Sequence, residues 1–266
     1  TVGTLAMTAS STIELGTGTH ALTFANSNAV AWTPFTVLTI TGWTNSCTGA
    51  KVFVGNNNTG LTPTQLSQIQ FSGYPSGAKI SPVGELIPNN LMLTATGGTL
   101  TGSYATLTAA FTAINAGTHT GAVTITVLND IDEGATTIPL TAAGGYTSLL
   151  IQPGGCGPRT ITGTGTGSAA NALISFNGAD RVTIDGLNTG GNSLTISNTS
   201  TSSAANTCTL LFQNDATFNV ITNCNILGSA TMATGTAGGN IWFGAGSTLT
   251  GNDNNTVSNC NLGPAG

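Results

Sequence analysis

Four ionisable side chains close together in the chain, Asp180, Arg181, Asp185 and Asp215, are the best candidates for a reacting centre. Polysaccharide lyases and glycosidases need paired carboxylates, or a calcium ion with a basic residue beside it. The repeat described below sets the acids apart, one to each copy. Asp185 aligns with Thr222 and Ser258, and Asp180 aligns with Thr217 and Asp253. A catalytic cleft requires several carboxylates converging on one face, and these columns do not supply them. Asp180 and Asp185 are therefore expected to flank a turn and pair with Arg181 at the surface, and no catalytic residue is assigned.

A second group, Asn129-Asp130-Ile131-Asp132-Glu133-Gly134, places three carboxylates and an amide in one loop. Clustered oxygens suit calcium, so Asp130, Asp132 and Glu133 form a candidate weak site and calcium the one candidate cofactor. The loop lacks the length and spacing of a known calcium motif, and its alternative is a solvated turn. His20 and His119 have no Ser or Cys partner in a nucleophile motif and read as loop residues. The five cysteines, Cys47, Cys156, Cys208, Cys224 and Cys260, show no CxxC or Cys/His spacing, which argues against zinc. Cys224 and Cys260 are spaced so that they could bond across neighbouring repeats, but their column reads as inward apolar filler. Thr162-Gly163-Thr164-Gly165-Thr166 raises ice binding, which would need a flat threonine array that the columns do not show.

Composition excludes much else. Nine acids and four bases make charged residues 5 % of 266, against roughly 25 % in an ordinary soluble domain. A nucleic-acid partner needs a field of Lys and Arg, and only Lys51, Lys79, Arg159 and Arg181 are present. Long helices need Glu, Lys, Arg and Leu, which are scarce. No stretch approaches 18 consecutive apolar residues, so no membrane span is expected. The chain opens at Thr1 without an initiator Met or a leader and stops within a repeat, so it is expected to be a piece of a longer polypeptide.

The positioning elements are strands. Short alternating runs such as Ala21–Phe24, Val37–Ile40, Val123–Val127 and Leu194–Ile196 are bounded by Gly, Asn, Ser and Thr. Helical signals are confined to two places. Thr62–Ile69 has Thr62 as cap and Pro63 in the first turn. Ser103–Asn115 carries a stripe of Tyr104, Leu107, Phe111 and Ile114, with Gly117 after it.

Internal repetition organises the rest. Asn219–Ile226 (NVITNCNI) recurs 36 residues later as Asn255–Leu262 (NTVSNCNL), and Val182–Leu187 (VTIDGL) lies 37 residues before it. Alignment stacks Ile184, Ile221 and Val257, then Gly186, Asn223 and Asn259, then Leu187, Cys224 and Cys260. The first and third columns are expected to point inward. The middle column is expected to be a corner in left-handed backbone, with Asn223 and Asn259 forming an amide ladder. Three strands with their turns fit each repeat, and Val123–Leu128 and Ser148–Gln152 read as earlier copies.

The fold class is therefore all-β: a right-handed parallel β-helix in residues 89–266, each coil pairing only with its neighbours. The 103–115 helix is expected to cap its open end, because unpaired strand edges invite aggregation. Residues 1–88, with Trp32 and Trp43 as an aromatic pair and Gly84-Glu85-Leu86-Ile87-Pro88 closing them, read as the β-rich end module of a preceding solenoid unit.

Trp43, Val52–Asn56, Leu61–Phe71 and Gly84–Pro88 resemble a module of very large secreted proteins of Bacteroidota, similar to the tail of passenger-type β-solenoids. Tyr104–Leu107, Phe111, Ile114–Gly117 and Gly121–Ile125 resemble the start of pectate-lyase-like β-helix domains in the same proteins, and Asn177–Leu187 matches their commonest coil. The resemblance implies a secreted or cell-surface protein, multi-modular and adhesive or filament-like.

The expected function is a non-catalytic structural or adhesive module of a long extracellular fibre or stalk. Its expected partners are neighbouring modules of one chain, identical subunits end to end, and surface glycans. The alternative is a carbohydrate-binding or carbohydrate-active β-helix.

Overall fold

In the computed structural model the residues described are 2–44, 48–74, 76–88, 90–154, 157–165, 172–205, 207–228, 238–245 and 251–265. They divide into two compact units, Thr1–Asn90 and Leu91–Gly266. Both are built mainly of strands, and most strand pairs are parallel. No described helix is long and apolar enough to cross a membrane.

In the first unit, strand Ala21–Ala25 lies between Val2–Thr4 and Lys51–Val54, and Leu38–Thr41 lies between Ser11–Glu14 and Ile69–Phe71. All four of these pairings are parallel. Leu38 pairs with Ile69 and Ile40 with Phe71, and all four are essentially sealed from solvent. The short helix is Pro63–Ser67. Thr62 and Gln65 form a reciprocal capping box, the Thr62 hydroxyl accepting the Gln65 N–H and Gln65 Oε1 accepting the Thr62 N–H at 2.7 Å. The helix is shorter than expected because Ile69 pairs with Leu38 in a sheet instead. Trp43 makes edge-on contacts with Phe71 and Tyr74, while the indole N–H of Trp32 donates to the Leu5 carbonyl. The two tryptophans thus serve different contacts rather than forming the expected pair.

The second unit begins with three antiparallel strands, the first in the chain lying between the other two, an arrangement without a signal in the repeat pattern. Leu91–Gly98 pairs antiparallel with both Thr101–Tyr104 and His119–Val127. The sheet then continues in parallel through Tyr146–Pro153, Val182–Asp185, Val220–Thr222 and Thr256–Ser258. A second parallel sheet runs through Ile131–Asp132, Pro158–Gly163, Ser193–Asn198, Cys224–Gly228 and Asn261–Pro264. A third runs through Leu140–Thr141, Ala172–Asn177, Thr207–Gln213 and Gly238–Phe243. The chain visits the three sheets in rotation, so each circuit adds one strand to each.

In-register parallel pairing lays equivalent side chains over one another at about 4.8 Å. In the first sheet Ile151, Ile184, Ile221 and Val257 form one column. In the second sheet the column is Ile131, Ile161, Ile196, Ile226 and Leu262. In the third it is Leu140, Phe176, Phe212 and Phe243. The Phe176–Phe212 and Phe212–Phe243 ring centroids are 4.9 and 4.8 Å apart. Those separations fall within the range that favours offset aromatic pairs. These columns meet in one core, and each fully buried Ile or Phe there contributes about 1.5–3 kcal/mol.

The second helix is Leu107–Asn115. Thr106 caps it, accepting the Ala109 N–H at 3.1 Å. Leu107, Phe111 and Ile114 are buried in the core as the stripe predicts, joined by Ala110. Ser103 and Tyr104 fall outside the helix because they pair with Met92 and Leu91 in the antiparallel hairpin.

Candidate functional site: polar brackets between successive strands

Asp180, Arg181 and Asp215 lie on turns beside the parallel sheets and Asp185 ends the strand Val182–Asp185, and each carboxylate is engaged separately. Asp180 Oδ1 accepts both the N–H and the hydroxyl of Thr217, each at 2.7 Å, from the strand-to-strand turn one circuit later. Asp185 Oδ1 accepts the Leu187 N–H at 2.8 Å and an Asn223 amide hydrogen at 2.9 Å. Asp215 Oδ1 accepts the Gly251 N–H at 3.0 Å. Among the described residues Arg181 makes no salt bridge with the acids expected to pair with it, and its guanidinium lies 5.8 Å from the Phe218 ring centroid. A carboxylate holding backbone and amide N–H groups is a strong acceptor, and through Asp180, Asp185 and Asp215 it ties successive circuits together.

The proposed calcium ligands are likewise divided among three tasks. Asp130 Oδ1 accepts the Thr160 N–H at 2.8 Å, and Asp132 Oδ1 accepts the Gly134 N–H at 2.8 Å. Glu133 is buried, and its two oxygens accept the N–H groups of Leu107 and Thr108 at 2.5 and 2.9 Å. A helix N-terminus has unpaired N–H groups and partial positive charge, and a carboxylate there satisfies both. The three carboxylates do not fit a cation, since one of them is already committed to the helix. Among the described residues no group of three or more His, Cys, Asp or Glu could hold a metal ion.

The densest polar arrangement was not singled out from the sequence. Asn219 is fully buried. Its Oδ1 accepts the Val182 N–H at 2.9 Å and its Nδ2 donates to the Ala179 carbonyl at 2.9 Å. Asn255 repeats the arrangement one circuit later, accepting from Asn219 N–H at 2.9 Å and donating to Ala216 O at 2.8 Å. Backbone groups at the corner, where the ladder is interrupted, are thereby satisfied by the next circuit's side chain. The signal was available, because an Asn stands immediately before the apolar strand in both aligned copies.

The structural columns are as expected in part. Ile184, Ile221 and Val257 stack. Asn223 and Asn259 are left-handed, with φ of 58° and 53°. Gly186 is not left-handed; Leu187 and Asn188, at 59° and 46°, take that conformation instead. Glycine is required at 186 for a different reason, since a Cβ there would collide with the Asn223 carbonyl oxygen. Leu187 does not stack on Cys224 as expected. A loop continues to Asn192 in this circuit, and Leu194 is the residue registered with Cys224. The amide ladder occurs at Asn225 and Asn261, with Asn261 Nδ2 donating to Asn225 Oδ1 at 2.8 Å, and again at Asn177 and Asn214.

Cys224 is buried and Cys260 partly so, and both pack into the core as free thiols. Burial pushes the Cys224 thiol pKa up to about 12. His20 is exposed, whereas His119 is not a loop residue. It opens a strand, is fully buried, and is held by Thr99 O at Nδ1 and the Tyr104 hydroxyl at Nε2, 2.6 Å away. Carbonyl oxygen accepts only, so Nδ1 is the donor to Thr99 O.

The columns change character at Gly238–Phe243, Thr256–Ser258 and Asn261–Pro264. Each is the last described strand of its sheet. Phe243, Val257 and Leu262 are 46, 38 and 57 % exposed, though their column partners Phe212, Ile221 and Ile226 are fully buried. No family model, curated protein or solved structure matches the chain.

Proposed function

We propose that the protein is a structural or adhesive, non-catalytic module of a long extracellular or cell-surface fibre, elongating by end-to-end stacking of coils. On this reading residues 89–266 form a right-handed parallel β-helix whose parallel coils start from His119–Val127, with Leu107–Asn115 capping one end. Thr1–Asn90 is the closing part of a preceding unit. The cell exterior is the setting suggested by the resemblance to large secreted surface proteins and by the charge-poor composition.

One observation carries the reading: the columns Ile151–Ile184–Ile221, Ile161–Ile196–Ile226 and Phe176–Phe212 repeat in register from circuit to circuit, so each circuit is a template for the next. Phe243, Val257 and Leu262 continue these columns in the last described strand of each sheet. The separate commitments of Asp180, Asp185 and Asp215 to neighbouring turns support the non-catalytic side.

Sedimentation velocity over a wide concentration range tests this. Association into increasingly elongated species, lost on Leu262→Lys and Phe243→Lys, is expected. A monomer at every concentration overturns the proposal.

A further inference from the structure

We propose that Cys224 and Cys260 are a redox-responsive pair whose oxidation to a disulfide joins two successive circuits of the chain. The register fixes the pairing. Asn225 opposes Asn261 in parallel strands, which places Cys224 directly under Cys260. In-register parallel strands hold opposed Cα atoms about 4.8 Å apart, inside the 4.4–6.8 Å range that disulfides span.

The two thiols also occupy equivalent positions. Cys224 Sγ donates to Thr222 O at 3.1 Å and lies 3.9 Å from Ile184 O. Cys260 Sγ donates to Ser258 O at 3.2 Å and lies 3.6 Å from Ile221 O. Both side chains therefore enter the core from the same corner and in the same direction, one circuit apart. Their accessibility differs: Cys224 is buried, while Cys260 is partly exposed. Cys260 is thus the thiol that a small oxidant reaches first.

With a low-molecular-weight disulfide as oxidant, the Cys260 thiolate attacks one sulfur of the reagent and expels the other half as a thiol. The Cys224 sulfur then attacks the mixed disulfide at Cys260, losing its proton and releasing the second half. One protein S–S bond forms, two S–H bonds are lost, and the reagent is reduced to two thiols. The closed loop joins the corner at Asn223 to the corner at Asn259, so the last described circuit cannot peel away from the one beneath it. The proposal does not depend on end-to-end assembly.

The test uses the full chain treated with oxidised glutathione, alkylated under denaturing conditions and examined by intact mass and peptide mapping. The expected result is a loss of two titratable thiols, an intact mass lower than that of the reduced, alkylated protein by two alkyl additions plus the two hydrogens of the disulfide, and a cross-linked peptide pair containing positions 224 and 260. Cys260→Ser is expected to abolish the cross-link and Cys208→Ser to leave it. Serine at 260 sits at a partly exposed site, so the variant should fold, and its circular dichroism serves as the control. Full recovery of both thiols, a stable glutathione adduct at Cys260, or pairing of either thiol elsewhere would overturn the proposal.

Discussion

Asn255 holds the backbone N–H of Asn219 through its side-chain oxygen at 2.9 Å, and Asn219 holds that of Val182 in the same way at the same distance. One side chain type thus repeats one task at a spacing of a single circuit. The apolar columns supply most of the burial, but they do not by themselves fix which corner lies over which. The paired amides do, because a slip of one residue would leave Val182 N–H and Ala179 O without partners in a buried place.

Asn219→Ala should therefore destabilise the fold by about 2–4 kcal/mol, since two buried backbone groups each lose their partner. Asn255→Ala should cost less, about 1–2 kcal/mol, because Asn255 is only partly buried and water can replace it. Urea unfolding of both variants checks the order. Equal losses would show that burial of the amide is not what matters.

Gly186→Ala should be among the most damaging small substitutions, at roughly 2 kcal/mol or more. A methyl group there meets the Asn223 backbone at the corner of the adjacent circuit, which cannot rotate away. Phe218→Asn should act in the opposite direction. Phe218 is 54 % exposed with φ of 57°, and the residue one circuit later, Asn254, has the same conformation. Relief of the left-handed penalty, about 1–2 kcal/mol, outweighs loss of an exposed Arg181 contact of about 0.5–1 kcal/mol. Thermal unfolding should show Tm falling in the first variant and rising slightly in the second.

Glu133→Ala should loosen the start of the Leu107–Asn115 helix and cost about 1–3 kcal/mol, because two N–H groups lose a charged acceptor. Asp132→Ala, removing one exposed turn contact, should change stability by less than about 0.5 kcal/mol. Hydrogen exchange at Leu107 and Thr108 provides the local readout. Added calcium should leave both the wild-type and the variant midpoints unchanged.

Alkaline pH should destabilise the protein. Burial pushes the thiols of Cys208 and Cys224 up to about 12 from an ordinary value of 9.0, and the Tyr146 hydroxyl up to about 12 from 10.0. The folded state then keeps protons that the unfolded state releases, so stability is full below about pH 9 and is lost progressively as pH rises toward 12. Urea midpoints measured from pH 8 to 11 under reducing conditions should fall. The decline should be shallower in Cys208→Ala and Cys224→Ala, and an unchanged slope would contradict the assignment.

What could be read from the sequence follows from which features recur at one fixed offset. Ile184, Ile221 and Val257 are separated by 37 and 36 residues and could be aligned by eye. Leu194 and Cys224 are only 30 apart, because the loop through Asn192 lengthens one circuit before the strand resumes. A constant offset therefore placed Leu187 over Cys224 and missed Leu194. The helix stripe was legible because Leu107, Phe111 and Ile114 are buried by their own periodicity. The partner of its N-terminus was not, since Glu133 reaches Leu107 across 26 residues with no pattern to announce it. His119 was mistaken for a loop residue because its neighbours are Thr and Gly. Its burial depends on Tyr104 and Thr99, which the antiparallel pairing of Leu91–Gly98 with both neighbouring strands brings beside it.

The stacking of Ile184, Ile221 and Val257 is best measured by methyl nuclear Overhauser contacts in a protein labelled at isoleucine and valine. Strong cross-peaks between 184 and 221 and between 221 and 257, with none between 184 and 257 at about twice the 4.8 Å strand spacing, are the predicted result. Absence of the two adjacent contacts, or antiparallel Hα–Hα contacts between these strands, would contradict it.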